Sequence, residues 1–168
     1  MTNAIAKNLI VEKESKYGET YRTHCLEIYK LYVDKADAIS NRRQNANTFF
    51  LTINTALLGI TGYIGTAKVM LSIAGVLLCY FWYRLVLSYK QLNSGKFKVV
   101  HEIEKLLPLS PYDAEWTALG EGQKPSLYRP FTDVEYRIPI VFMLVHIYFI
   151  ILEYSTTILE TLAVLIST

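Results

Sequence analysis

Between Arg43 and Lys68 the chain reads QNANTFFLTINTALLGITGYIGTA, a stretch without a single charged residue. About 20 helical residues, each rising 1.5 Å, cross the roughly 30 Å hydrocarbon core of a bilayer. The stretch therefore predicts a first transmembrane helix over residues 46–67. The whole chain suits this environment, because 52% of its residues are hydrophobic and its mean hydropathy is +0.23, above the values of an ordinary soluble domain.

A second apolar stretch follows almost at once. Residues 69–89 read VMLSIAGVLLCYFWYRLVLSY, in which Arg84 is the sole charged residue. Only the segment Gly-Thr-Ala-Lys at 65–68 separates the two stretches, and helices joined by so short a loop are antiparallel neighbours. We therefore predict a two-helix transmembrane hairpin over residues 46–90.

Upstream, residues 1–45 predict a charged N-terminal region built around an amphipathic helix from about Tyr17 to Asn45. Apolar and small side chains recur in it at spacings of three and four, which mark one face of a helix. They are Tyr21, Cys25, Ile28, Tyr32, Ala36 and Ile39. This face packs either on the same chain, the interpretation that we favour, or on copies of itself.

Downstream, residues 91–132 predict a small polar insert with short helices. One follows Ser94-Gly95, and a second has the signature of an N-cap at Ser110 followed by a proline in the first turn. Basic and aromatic side chains alternate along the insert, so it is a solvated surface or a contact site for anionic headgroups or a nucleotide.

The last region, residues 133–168, predicts a C-terminal transmembrane helix, the third long apolar helix of the chain, which begins at a capping-box spacing of Thr132 and Glu135. The predicted fold class is therefore an all-α integral membrane protein. It consists of a cytoplasmic amphipathic helix, a two-helix transmembrane hairpin, a small helical cytoplasmic insert and a third long apolar helix.

Basic residues orient the hairpin. Arg42 and Arg43 precede its first helix, further lysines follow its second helix, and the turn holds only Lys68. The positive-inside rule then predicts that the N-terminal region and residues 91–132 are cytoplasmic. In this orientation we expect the long Arg84 side chain to extend toward the cytoplasmic headgroups.

Motifs for enzymatic chemistry are lacking in the sequence. His24, His101 and His146 are scattered without metal-ligand spacing, and there is no Gly-rich phosphate loop or nucleophile elbow. A formal charge of only +2 gives no reason to expect nucleic-acid binding. We expect a non-enzymatic protein without metal or cofactor.

Polar residues within the first predicted span are more informative. Small or hydroxyl-bearing residues alternate there at spacings of four and three, and we call them the hydroxyl stripe: Thr48, Thr52, Thr55, Gly59, Gly62 and Thr66. Asn54 and Thr61 lie on an adjoining row, and Ser72, Gly75 and Cys79 form a similar row on the second span. Small residues let helices approach closely. We favour an arrangement in which the two stripes meet inside the hairpin; the alternative is that the hydroxyl stripe faces the axis of an oligomer and lines a polar path.

Four charged residues lie in or beside the predicted spans: Lys68, Arg84, Glu153 and Glu160. Fifteen helical residues from Ile138 carry Glu153 about 22 Å across the bilayer, close to the hairpin turn. We therefore expect an ion pair between Glu153 and Lys68. Since Glu160 lies seven residues further on the same helix face, a cation-attracting ring of acids in an oligomer is the alternative.

The stretch Tyr29-Lys30-Leu31-Tyr32, the pair Arg42-Arg43 and the uncharged start of the hairpin at 45–65 resemble the SLATT-type small bacterial membrane effectors. This resemblance covers about residues 20–90. It implies an oligomeric effector of an anti-phage or conflict system in the bacterial inner membrane, in contact with lipids and triggered by a cytoplasmic signalling protein or a nucleotide. The alternatives are a structural membrane anchor for a cytoplasmic partner and a small ion channel or transporter.

Overall fold

The computed structural model describes residues 2–63 and 67–167, and these residues form helices and connecting turns without a strand. The helices are α1 (Thr2–Leu9), α2 (Glu14–Tyr17), α3 (Tyr21–Thr61), α4 (Lys68–Glu104), α5 (Pro111–Ala118), α6 (Thr132–Glu135) and α7 (Arg137–Ser167). A 3-10 turn, Gly120–Gly122, follows α5. The all-helical prediction is confirmed.

The chain divides into two compact units. The first, which we call the polar unit, holds residues up to Arg43 together with Ser88–Phe131. The second, the apolar unit, holds Gln44–Leu87 together with the chain from Thr132 onwards. The N-terminal region and the insert, which are distant in sequence, thus belong to one unit.

α3 and α4 both continue through positions where the sequence suggested a boundary. The sequence predicts a boundary between the N-terminal helix and the first span near residue 45. In the structure α3 continues through this position, where no proline or glycine interrupts it. The break predicted at Ser94-Gly95 is wrong, because α4 passes through both residues. A glycine inside a helix costs only about 1 kcal/mol relative to alanine, and burial of Val100 and Ile103 on the same helix offsets that cost.

In the polar unit, α3 and the C-terminal part of α4 share a small apolar core. Ala36 and Ile39 from α3 are buried with Val100 and Ile103 from α4. This packing confirms that part of the amphipathic face of α3 contacts its own chain. Ile28, earlier on the same face, is 47% exposed.

Two helical segments of the described chain are long and apolar enough to cross a membrane: Lys68–Glu104 and Asp133–Ile166, with mean hydropathies of 1.8 and 1.9 over their most apolar windows. Only 28% and 11% of those windows are buried in the protein, which fits helices whose solvent is lipid rather than a protein core. The C-terminal half of α3, which is the first predicted span, is not among them, because its asparagines and threonines lower its hydropathy. The structure thus supports two of the three predicted spans by composition.

Candidate functional site

The apolar unit is held together by a buried polar cluster that joins α3, α4 and α7. Asn54, Cys79 and His146 are each fully buried. The Asn54 Nδ2 donates to the Phe50 carbonyl at 2.8 Å, which fixes the orientation of the amide and leaves Oδ1 as an acceptor. Cys79 Sγ donates to that oxygen at 3.1 Å and His146 Nε2 at 3.3 Å. One side-chain amide therefore bonds to both other helices.

This geometry assigns the proton of the histidine. Because Asn54 Oδ1 can only accept, His146 must carry its proton on Nε2, and in the neutral ring Nδ1 is then a bare acceptor. Within the described part of the chain, neither His146 Nδ1 nor the buried Ser72 Oγ has a hydrogen-bond partner. The cluster is consequently a structural junction in which His146 Nδ1 is an unused polar atom.

Gly75 makes room for the cluster. A Cβ atom on Gly75 would overlap the imidazole ring of His146, so α7 approaches α4 at this point more closely than any other residue type would permit. The row of Ser72, Gly75 and Cys79 is therefore buried within the helix packing, as its small residues suggested.

A second polar contact lies two helical turns away along α3. Asn47 Oδ1 accepts from the indole Nε1 of Trp82 at 2.8 Å, while its Nδ2 donates to Glu135 Oε1 at 2.9 Å. The Trp82 ring stacks on the Phe50 ring, with centroids 5.9 Å apart. The Phe142 ring, on α7, has its centroid 6.1 Å from that of Trp82. Glu135, which the sequence suggested as part of a capping box, thus bonds to α3.

The hydroxyl stripe lies on an outward face of α3, beside the row that holds Asn54. Thr48, Thr52, Thr55, Gly59 and Gly62 are all exposed in the protomer, whereas Asn54 and Thr61 from the adjoining row are buried. Thr66 lies outside the described residues. The favoured arrangement, in which the two stripes meet inside the hairpin, is wrong, because the buried row of α4 meets Asn54 instead.

The threonine hydroxyls of this stripe are partly satisfied by their own helix. Thr48 donates to the Gln44 carbonyl at 3.1 Å, and Thr52 donates to the Thr48 carbonyl at 2.9 Å. Such bonds use the hydroxyl proton and leave the oxygen free to accept a further bond from outside the protomer. The stripe is thus an outward row of hydrogen-bond acceptors on the uncharged part of α3, which begins after Arg43.

The predicted ion pair is present. Lys68 Nζ lies 3.6 Å from Glu153 Oε2, and both side chains are about one-third exposed. Glu160 is exposed on α7. Arg84 differs from expectation: its Nη1 donates to the Tyr80 hydroxyl at 3.2 Å, one turn back toward the hairpin turn. Helical side chains lean toward the N-terminus of their helix, which favours Tyr80 over the Lys90 end.

In the polar unit, a buried carboxylate takes the place of the expected cap. Glu104 accepts hydrogen bonds from the backbone N–H groups of Tyr112 and Asp113, at 3.0 and 3.1 Å, and from the Tyr29 hydroxyl at 2.9 Å. Ser110 occupies the predicted N-cap position and Pro111 follows it in the first turn, but the Ser110 side chain makes no capping bond. Burial and then the bond to Glu104 raise the pKa of Tyr29 to about 12.

Among the described residues, no three His, Cys, Asp or Glu side chains are grouped as a metal ion would require. The polar groups of the apolar unit instead bond to one another across helices. What they do chemically is to hold three apolar helices in one register, since an unpaired polar group in an apolar surrounding is costly.

Comparison with known proteins decides the family. A model of the octameric membrane protein family (8xMP) matches residues 26–155. The chain belongs to this family. Comparisons with curated proteins and with solved structures give no match.

Membership makes this 8xMP protein a membrane protein and indicates that it assembles with copies of itself, because the family is named for octamers. The matched range contains the junction at Asn54, the hydroxyl stripe and the ion pair between Lys68 and Glu153. Family membership and the two apolar helices together establish a small oligomeric membrane protein. The narrower resemblance to SLATT-type effectors stays a prediction.

Several residues that organise the 8xMP protomer were missed by sequence reasoning. His146 has no metal-ligand spacing, although its place within the uncharged apolar stretch 138–152 is itself a signal of a buried partner. Asn47 and Trp82 were not singled out, although the buried row of α4 continues from Cys79 to Trp82 at helical spacing. Glu104 gave no such signal, because it lies in an ordinary charged stretch.

Proposed function

We propose that copies of this chain form an octameric effector of a bacterial defence system in the inner membrane. On a cytoplasmic signal, from a partner protein or a nucleotide, the assembly opens a polar path and disturbs the membrane. The observation that carries the proposal is the outward position of the hydroxyl stripe in a chain whose family is octameric.

A row of polar side chains on a membrane helix needs hydrogen-bond partners. In an isolated protomer, Thr48, Thr52 and Thr55 would face lipid tails, which offer no hydrogen bond. In a ring of copies, one outward face of each helix turns to the axis or to a neighbour. Eight such rows around an axis would present hydroxyl oxygens and glycine backbone to water, as a path for ions or small solutes requires.

The signal is proposed to act on the polar unit. Basic residues precede and follow the hairpin in the sequence, and the positive-inside rule favours a cytoplasmic side for this unit. The bonds of Glu104 attach α5 to α3 and α4. α3 and α4 continue without a break into the apolar unit. A ligand that displaces α5 can therefore shift α3, the same helix that carries the hydroxyl stripe.

The test is to induce the protein in bacterial cells while following membrane potential with a dye, with and without phage infection. We expect depolarisation on triggering, and we expect Thr52→Leu with Thr55→Leu to suppress it while the detergent-solubilised mass stays that of the assembly. Ile60→Leu, an exposed apolar change on the same helix, is the matched control and should depolarise as wild type.

An unchanged potential under every trigger and after infection would remove the effector proposal. Depolarisation that persists in the double threonine variant would remove the hydroxyl stripe as the path, while leaving an effector of another geometry.

The second candidate is a membrane anchor that scaffolds a cytoplasmic partner without opening a path. The polar unit offers exposed apolar side chains on α3, such as Ile28 and Leu31, which favour a protein contact. A small channel or transporter that uses Glu153 and Glu160 is the third. Conductance that survives Glu153→Gln together with Glu160→Gln would count against it, and the pairing of Glu153 with Lys68 favours a structural role for that acid.

A further inference from the structure

One face of α7 is apolar, exposed and regularly spaced along almost the whole helix. We call it the α7 seam, and its members alternate at intervals of three and four residues: Val141, Leu144, Tyr148, Ile151, Ser155, Ile158 and Leu162. Its apolar members are between 49% and 61% exposed. A repeat of 3.5 residues per turn sustained over three heptads is the pattern of a helix that pairs with other helices.

The seam points away from the rest of its own protomer. The residues of α7 that contact the hairpin are on the other side of the helix, among them Phe142, His146 and Glu153. No side chain of the described protomer therefore has to move for a second helix to lie along the seam.

The length of α7 bears on the C-terminal end of the seam, past Glu153. With 31 residues, the helix is about 46 Å long, and fitting it into a core of about 30 Å would need a tilt of about 50°, beyond the usual range of 0–40°. The ion pair of Glu153 with Lys68 places the start of α4 level with Glu153. Some 14 residues, about 20 Å of helix, extend past that level.

The side chains of this extension stay exposed in the described protomer. All side chains described from Tyr154 to Ile166 are exposed, and Ile158, Leu159 and Ile166 are large and apolar. Beyond the hydrocarbon core such side chains would face water, at a cost that grows with the exposed apolar area.

The sequence of the extension separates its faces. The triplet Ile-Leu-Glu at 151–153 recurs at 158–160, one heptad later, so both acids occupy equivalent positions away from the seam. The hydroxyls of Thr156, Thr157 and Thr161 donate to backbone carbonyls of their own helix. Only Ser155 interrupts the apolar side chains of the seam.

We propose that the α7 seam is the contact between copies of this chain, and that the extensions past Glu153 form a parallel helical bundle. Copies inserted in one membrane share an orientation, and the octameric family supplies the number of partners. Glu153 and Glu160 lie outside the bundle, so like charges do not oppose each other across it. This contact concerns assembly and is independent of any trigger or path.

Cysteine cross-linking of the full-length protein in native membranes tests the proposal. Ile158→Cys and Leu162→Cys lie on the seam, and Thr157→Cys, adjacent in sequence but on the opposite face, is the matched control. We expect oxidation to convert most of either seam variant into covalent dimers, at least tenfold more than the control. The wild-type chain, with Cys25 and Cys79 alone, gives the baseline.

A second measurement follows the mass of the detergent-solubilised complex. Ile158→Asn with Leu162→Asn should reduce the octamer to smaller species, whereas Thr157→Asn should leave its mass unchanged. Equal cross-linking on both faces, or an intact octamer in the double asparagine variant, would overturn the proposal. Absence of cross-links at the seam together with labelling of Ile158→Cys by a reactive lipid would assign the face to lipid and likewise overturn it.

Discussion

Replacing Asn54 by leucine is the sharpest probe of the apolar unit. The side chain is fully buried, and its amide oxygen accepts from Cys79 on α4 and from His146 on α7. Leucine has a similar size and shape, so the change removes the bonds without leaving a large cavity. The thiol and the imidazole N–H then lose their acceptor in a water-free surrounding.

The magnitude follows from the bonds lost. Hydrogen bonds between helices in membrane proteins contribute about 0.6 kcal/mol on average and up to about 1.7 kcal/mol. Two such bonds end at Asn54 Oδ1, whereas the Nδ2 bond to Phe50 stays within α3. We therefore expect Asn54→Leu to lower the free energy of unfolding by about 1–3 kcal/mol.

Reversible unfolding of the purified protein in mixed micelles, followed by circular dichroism, measures this difference. Thr52→Val is the control: it removes an exposed hydroxyl bonded to its own helix and should change the free energy by less than about 0.5 kcal/mol. A double-mutant cycle of Asn54→Leu with His146→Leu should show coupling of about 0.5–1.5 kcal/mol. Additive effects, or an Asn54→Leu variant as stable as wild type, would refute the assignment of the junction.

Two further predictions concern single contacts. Gly75→Ala should destabilise the protein by about 1–3 kcal/mol in the same unfolding assay, because its Cβ overlaps the ring of His146; His146→Ala should restore most of that loss, and a failure to do so would locate the strain elsewhere. For Tyr29, whose pKa is raised from 10 to about 12, the stabilisation is present in full below about pH 10 and is lost as the pH rises through about 12. The tyrosinate absorbance of wild type minus that of Tyr29→Phe should have its midpoint near the higher value, and a midpoint near pH 10 would contradict the buried bond.

The sequence predicted the positions of the helices better than it predicted which face of each helix is buried. Charge-free stretches and small residues were enough to place a hairpin, the buried row through Gly75, and the Glu153–Lys68 pair, because these depend on local spacing and on the length of a bilayer. They did not decide which row of α3 turns inward, since the threonine row and the Asn54 row are both polar. The deciding group is His146, which lies on a helix far along the chain and offers Asn54 a partner.

Helix ends were the other weak point. Gly95 and Ser110 have strong local preferences for a break and a cap, yet α4 passes through the first and Glu104 replaces the second. Tertiary packing outweighs such preferences, which amount to about 1 kcal/mol each. The exposed stripe could be found from the sequence, but its orientation relative to the hairpin could not.

The position of Trp82, bonded to Asn47 and stacked on Phe50, gives the molecule a built-in optical reporter. Its indole is fully buried in the apolar unit, while Trp116, the chain's other tryptophan, is 41% exposed in the polar unit. Blue-shifted emission thus belongs to one unit and red-shifted, quencher-sensitive emission to the other. In a Trp116→Phe variant, the tryptophan emission comes from Trp82. Its change during a titration with a candidate ligand would show when binding to the polar unit alters the packing of the apolar helices.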